Sequence, residues 1–238
     1  NLSLIVIIAV TGAAIAYFAV ILSSRRITSD ERSRVWGFLP LFLTSVAFWS
    51  LYQQQFTVLT IYSDKRLDRD LFGWEMPVSW VQSINPVFII ILSGVFAAIW
   101  TKLGTHQPST PVKFGLAAII MGSAFLLFLP FSGGGANSTP LLAIVGILFV
   151  FTVAELLISP VGLSAATKLA PSVFRTQMVA LFFLSIALGT AISGELVKFY
   201  DPENEVPYFS ILGGIAIVVG IGLLLSVKPV LRLMRGVR

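Results

Sequence analysis

The sequence contains no cysteine and a single histidine, His106. The first absence excludes disulfides and thiolate metal sites, and the second excludes a cluster of histidine ligands. His106 reads as a solvated loop residue. Charge is scarce too: 11% of the 238 residues are charged, against about 25% in an average soluble domain. With 56% hydrophobic residues and a mean hydropathy of +0.92, the chain reads as an integral membrane protein. Period-two alternation is missing, which argues against an outer-membrane barrel. So are a phosphate-binding loop, a nucleophile elbow and paired catalytic carboxylates, which leaves an enzyme reading without support. No cofactor is expected. No basic stripe with interleaved aromatics occurs, and nucleic acid is discarded as a partner.

What is present is a series of apolar runs, each close to the roughly 20 residues that cross a bilayer as helix. Seven can be drawn, at about 2–24, 35–60, 79–101, 112–131, 140–163, 177–198 and 208–228. Basic residues fall into alternate connections. Arg25, Arg26, Arg32, Arg34, Lys102, Lys113, Lys168 and Arg175, with Lys228, Arg232, Arg235 and Arg238 of the tail, lie on one side. The other side carries Lys65, Arg66, Arg69 and Lys198 among seven acids, including Asp64, Glu75 and Glu205. The basic side is expected to be cytoplasmic, which puts the C-terminus inside and Asn1 outside. The first run lacks a basic leader and a small-residue cleavage site, so it makes a poor signal peptide. The odd span count and the start at Asn1 suggest part of a longer protein whose missing portion precedes this chain.

Few polar residues interrupt the runs. Glu155 lies in the middle of Leu141–Leu163, where an acid costs about 2.5–3.5 kcal/mol on insertion scales. No Lys or Arg lies deep in any span, so a cationic partner would have to come from outside the chain, from substrate, or from a flexible side chain such as Lys168. Gln53, Gln54 and Gln55, with Thr57 and Thr60, form a second polar group. Three consecutive residues cannot share a helix face, so at least one glutamine is expected at an interface or cavity. Gln82, Ser83, Asn85 and Pro86 form a third, in which Asn85 offers donor and acceptor or simply caps a proline kink. Glu195 reads as an interfacial pair with Lys198, and Ser185 as a hydroxyl that back-bonds to its own helix. Tryptophans 36, 74, 80 and 100 fall near span ends, as an aromatic belt does, whereas Trp49 lies deeper. Gly189, Gly194, Gly213, Gly214, Gly220 and Gly222 read as close helix packing, and the 132–139 stretch SGGGANST as a short flexible loop.

The stretches FWSLYQQQFTVLT (48–60), QSINPVFIIILSGVFAAIWTKLG (82–104), AELLISPVGLSAATKLAP (154–171) and QMVALFFLSIALG (177–189) resemble the proton-dependent oligopeptide transporter family of the major facilitator superfamily. The resemblance covers most of the chain from about Arg32 onward. It implies an all-α polytopic membrane protein: the six-helix C-terminal bundle of a major facilitator fold plus one extra transmembrane helix. Residues 1–24 would be the second helix of an inter-bundle pair, 25–34 a cytoplasmic linker and 35–238 the bundle. The implied activity is proton-coupled symport of di- and tripeptides across a bacterial cytoplasmic membrane. The implied partners are peptide, protons, the lipid bilayer and an N-terminal six-helix bundle of the same protein.

By position, Glu155 resembles the acid that receives the peptide's amino terminus, and Asn85 the amide that bonds its backbone. Gln53 stands where many members have a titratable glutamate, and Phe182 where many have a tryptophan lining a side-chain pocket. Tyr52 and Trp49 lie close enough to Gln53 to line the cavity, and Ser185 completes the expected substrate-binding set. Two other readings stay open: the same scaffold carrying nitrate or another small solute, and a non-transporting assembly subunit in which a cation seals Glu155 and no cavity opens beside it.

Overall fold

In the computed structural model, which describes residues 2–237, nine α-helices are joined by short connections. They are α1 (Leu2–Ser23), α2 (Ser29–Tyr52), α3 (Val58–Lys65), α4 (Val81–Leu103), α5 (Thr110–Leu126), α6 (Leu141–Leu169), α7 (Arg175–Leu196), α8 (Val206–Leu225) and α9 (Val227–Leu233). Seven helical stretches among the described residues are long and apolar enough to cross a membrane, matching the seven expected runs. The placement of Asn1, and of Arg238 in the basic tail, lies outside the described residues.

Helix boundaries follow local chemistry. α1 ends where the Arg32 guanidinium donates to the carbonyls of Leu22 and Ser24, both at 3.0 Å, a cation on orphan C-terminal acceptors. α2 begins with a capping box: Thr28 Oγ1 accepts from Glu31 N, and Glu31 accepts from Thr28 N. Pro40, Pro86 and Pro160 lie inside α2, α4 and α6 without ending them. The second run differs from expectation. It breaks after Tyr52 into a 3₁₀ turn, Gln53–Phe56, and resumes as α3 past Thr57 at φ −123°, ψ −84°. The tighter winding takes the three glutamines off a regular α-helical wheel.

The connections between α3 and α4, α5 and α6, and α7 and α8 carry more order than their composition suggests. Asp70–Leu71 (β1) and Trp74–Glu75 (β2) form an antiparallel hairpin. Its turn residues Phe72 and Gly73 both have positive φ, as a type I′ turn requires. The 132–139 loop, expected to be flexible, is pinned at its end. Thr139 is buried, its N–H donates to Arg66 O, its carbonyl accepts from Asp68 N, and its hydroxyl meets Tyr62 Oη at 2.7 Å. Nearby, Arg66 Nε donates to Glu205 Oε1 at 3.2 Å and Arg66 Nη2 to Pro202 O at 2.6 Å. Tyr200 Oη also donates to Glu205 Oε1, at 2.9 Å. Burial, then the adjacent carboxylate, pushes the Tyr200 phenol up, so it stays a donor. His106 is exposed in the connection between α4 and α5, as the loop reading requires. The expected Glu195–Lys198 pair forms at 2.7 Å.

The helices pack through small residues and rings. A Cβ on Gly122 would stand 2.5 Å from Gly213 O, and one on Gly115 would stand 3.0 Å from Gly220 O and 2.8 Å from Leu224 Cδ2. α5 and α8 therefore cross nearly backbone to backbone. Gly189 of α7 faces Trp49 Cβ at 2.7 Å and Val46 O at 2.9 Å on α2. Gly213, Gly220 and Gly189 thus pack as expected, but nothing lies close to Gly214 or Gly222, and Gly194 meets only Ser3 at 4.0 Å. Gly115 and Gly122, the partners across the seam, carry no sequence signal beyond their type. Phe125, Phe128, Phe151, Phe209 and Tyr62 fill the middle with stacked and edge-on rings, Phe128 and Phe209 at 4.5 Å. α9 turns back beneath α2, where Met234 packs on Gly37 and Ser33 Oγ donates to Leu233 O.

Candidate functional site

Three helices each deliver one polar side chain to a common point. Tyr52 is the last residue of α2, Asn85 stands just before the proline of α4, and Glu155 lies halfway along α6. Tyr52 Oη lies 2.8 Å from Glu155 Oε2 and 3.0 Å from Asn85 Oδ1. Asn85 Nδ2 donates to Thr152 Oγ1 at 2.9 Å and reaches Glu155 Oε2 at 3.5 Å. Thr152 donates to its own helix, at Leu148 O, 2.8 Å away. Asn85 therefore makes side-chain bonds across helices, and the kink-capping role is not the one observed.

Thr152 was not singled out by sequence reasoning. Its signal is spacing: it stands three residues before Glu155 on α6, so both fall on one helix face. Asn85 and Thr152 are buried, whereas Glu155 keeps part of its surface open.

Aromatic rings orient the cluster. Trp49 meets Tyr52 edge-on at 5.0 Å, and Phe48 stacks on Tyr52 at 6.0 Å. Trp49 is held there because Gly189 admits its Cβ. Phe182 packs its ring over Gly162, where any Cβ would overlap it, and so closes the α6–α7 contact. Gln53 Nε2 donates to Thr190 Oγ1 at 2.9 Å, joining the 3₁₀ turn to α7.

The remaining expected residues are placed apart from the cluster. Ser185 is fully buried: it donates to Phe182 O at 2.6 Å, the back-bond read from the sequence, and meets Ser45 Oγ at 2.7 Å between α2 and α7. Gln82 Nε2 donates to Thr60 Oγ1, tying α4 to α3. Gln54 bonds to Ser50 O and Ser193 O, and Gln55 is buried with Nε2 unpartnered.

No Lys or Arg among the described residues forms an ion pair with Glu155. Lys168, the candidate on this chain, stands on the same helix more than three turns away, about 20 Å at 1.5 Å per residue. Among the described residues the acid is held by neutral hydroxyl and amide groups alone.

That geometry, on a seven-span helical frame, can be set beside known proteins. The sequence profile of the POT family matches residues 2–213. The chain belongs to the POT family. A "Di-/tripeptide transporter" of Lactococcus lactis subsp. cremoris is 40% identical over 230 residues, covering 94% of this chain and 46% of the relative. "Peptide transporter YePEPT" of Yersinia enterocolitica subsp. palearctica serotype O:3 is 33% identical over 92% of this chain and 44% of the relative. Among solved structures, a POT peptide transporter, crystallised as a glutamate-to-glutamine mutant with alafosfalin, superposes with a TM-score of 0.92. It shares 44% identity over 99% of this chain and 49% of that one. A POT family transporter in complex with 5-aminolevulinic acid gives 0.88 at 35% identity, covering 96% and 48%. This POT chain thus spans about half the length of the curated relatives it matches. It is a multi-pass membrane protein of a transporter family, with the major facilitator-type helical fold of its structural neighbours.

Proposed function

We propose that this POT chain is the C-terminal half of a proton-coupled symporter that carries di- and tripeptides across a bacterial cytoplasmic membrane. In this reading residues 1–24 are an inter-bundle helix, 25–34 a cytoplasmic linker and 35–238 the C-terminal bundle, with the C-terminus inside. The N-terminal bundle of the same protein closes the cavity from the other side. Transport proceeds by rocking of the two bundles about a midplane site. The observation that carries the reading is Glu155, an acid at mid-helix held by Tyr52 and Asn85 with no counter-cation among the described residues. An uncompensated carboxylate takes either a proton or a substrate ammonium, and a symporter needs both. The relatives' names supply the substrate class.

In this reading the hydrogen bonds of the cluster couple the two. Thr152 spends its hydroxyl proton on Leu148 O, so it accepts from Asn85 Nδ2, and Asn85 Oδ1 must face Tyr52. Tyr52 has one proton for two acceptors, Asn85 Oδ1 and Glu155 Oε2. When Glu155 is protonated, it donates to Tyr52 and Tyr52 donates to Asn85, and every contact is satisfied. When Glu155 is ionised, Tyr52 turns its proton to the carboxylate and Asn85 Oδ1 is released. The freed oxygen accepts a peptide N–H, while the carboxylate receives the peptide ammonium. Tyr52 and Phe182 supply side-chain contacts, Trp49 braces Tyr52, Ser185 braces Phe182, and Gln53, which cannot titrate, contributes hydrogen bonds alone. Proton coupling then rests on Glu155 and on the other bundle.

The test is uptake by the intact transporter in proteoliposomes under an imposed proton gradient. Glu155→Gln should abolish uptake of a dipeptide with a free amino terminus and leave the protein folded and monodisperse. Unimpaired uptake would overturn the assignment.

A further inference from the structure

A cavity lies between the C-terminal end of α4, the start of α5 and the last turns of α6, its α6 wall beginning at Pro160, about 8 Å along the helix from Glu155. It encloses about 530 Å³ and is lined by Trp100, Gln107, Thr110, Lys113, Ser164 and Lys168, among others. Lys113 is its central feature. The residue is only 7% exposed, yet among the described residues its ammonium contacts neutral groups alone. Nζ stands 4.1 Å from the centre of the Trp100 ring and donates to Gln107 Oε1 at 2.9 Å. Gln107 is itself fixed by donating to Trp100 O at 2.8 Å.

Lys168 lines the same cavity, no Asp or Glu does, and neither lysine forms an ion pair among the described residues. Two cations sharing an acid-free hollow are unfavourable unless an anion enters. The start of α5 adds to the positive field: no side chain of its N-cap, Ser109, bonds to the helix. The neighbouring recess, lined by Arg34, Lys168 and Arg175, differs because Glu31 lines it.

We propose that this cavity binds a phosphate group, held by Lys113 and Lys168 at the basic end of the α4–α6 helices. A phosphate offers oxygens to both ammonium groups and to the Thr110 and Ser164 hydroxyls. Basic pockets between transmembrane helices on the cytoplasmic side are where phospholipid headgroups bind, and Trp100 suits the boundary between tails and headgroups. Free phosphate offers the same chemistry from the aqueous side.

The experiment uses the intact, delipidated transporter in detergent, with thermal-shift and direct titrations of short-chain phosphatidylglycerol and of inorganic phosphate. Saturable binding of at least one probe is expected. Lys168→Gln, a change on the cavity wall, should weaken it at least tenfold. Lys113→Gln should do the same and Lys113→Arg should retain it. Binding of the lipid alone identifies a membrane headgroup, and displacement of the lipid by inorganic phosphate identifies a free anion; both support the site. Absence of saturable binding by either probe, or equal affinity in the parent and the Lys168→Gln protein, overturns it.

Discussion

Two partly or fully buried glutamates show how the same side chain serves opposite ends. Glu205, at the N-terminal end of α8, is 1% exposed and has its own cation in Arg66, with Tyr200 as a second donor. Glu155, midway along α6, has tyrosine and asparagine but no cation among the described residues. A carboxylate with a permanent counter-charge is a staple, because removing either partner leaves a buried charge. A carboxylate with neutral partners is poised, because its counter-charge can come and go. The difference teaches that a neutral set of partners among the described residues, rather than depth in a helix, is what sets Glu155 apart.

Exchanging the two phenotypes is the strongest way to break the comparison. Glu155→Gln should abolish proton-driven dipeptide uptake yet change unfolding stability by less than about 1 kcal/mol, since glutamine keeps the amide–hydroxyl contacts. Glu205→Gln should do the reverse, losing about 3–5 kcal/mol through the orphaned Arg66. Uptake per folded molecule should survive. Thermal unfolding and uptake, measured on the same preparations, decide both, and a stability loss at Glu155 larger than at Glu205 would falsify the contrast.

A smaller effect sharpens the picture at Tyr52. Tyr52→Phe removes the proton that Glu155 and Asn85 compete for, and should lower uptake about tenfold, equivalent to about 1.4 kcal/mol. Pre-steady-state exchange should show the loss in the proton-coupled step more than in counterflow. Next comes Gly122→Ala. Its methyl would meet Gly213 O at 2.5 Å, and overpacking of this kind costs about 1–3 kcal/mol, readable as a fall in melting temperature with uptake per folded molecule retained. The smallest change is Ser45→Ala, which leaves Ser185 its bond to Phe182 O. A loss of about 1 kcal/mol or less is expected from a single hydrogen bond.

Much of this was legible before any coordinates. Seven spans follow from apolar run length, and the isolation of Glu155 follows from the absence of lysine and arginine in the spans. Asn85 was visible as an amide beside a proline. What stayed hidden depended on contacts between helices. Thr152 looks like any hydroxyl in an apolar run until its spacing from Glu155 is given a partner on α4. The break after Tyr52 was masked because Gln53–Phe56 continues an acceptable helical composition, and the bond from Gln53 to Thr190 of α7 is not written in the local sequence. Lys113 was legible only as one of the basic residues at the edge of a span, since sequence gives no sign that Trp100 folds beneath its ammonium. Ser185 was legible as a back-bonding hydroxyl but not as the partner of Ser45, a contact between helices far apart in sequence.

The glycine seam between α5 and α8 has one more consequence. Gly115 faces Gly220 and Gly122 faces Gly213, so the antiparallel pair touches at two places about two helical turns apart. Rods joined at one point can swivel about it; rods joined at two cannot. α5 and α8 are therefore locked in angle as well as in position, and bending of the bundle falls to elements such as α2, whose helix is already interrupted after Tyr52.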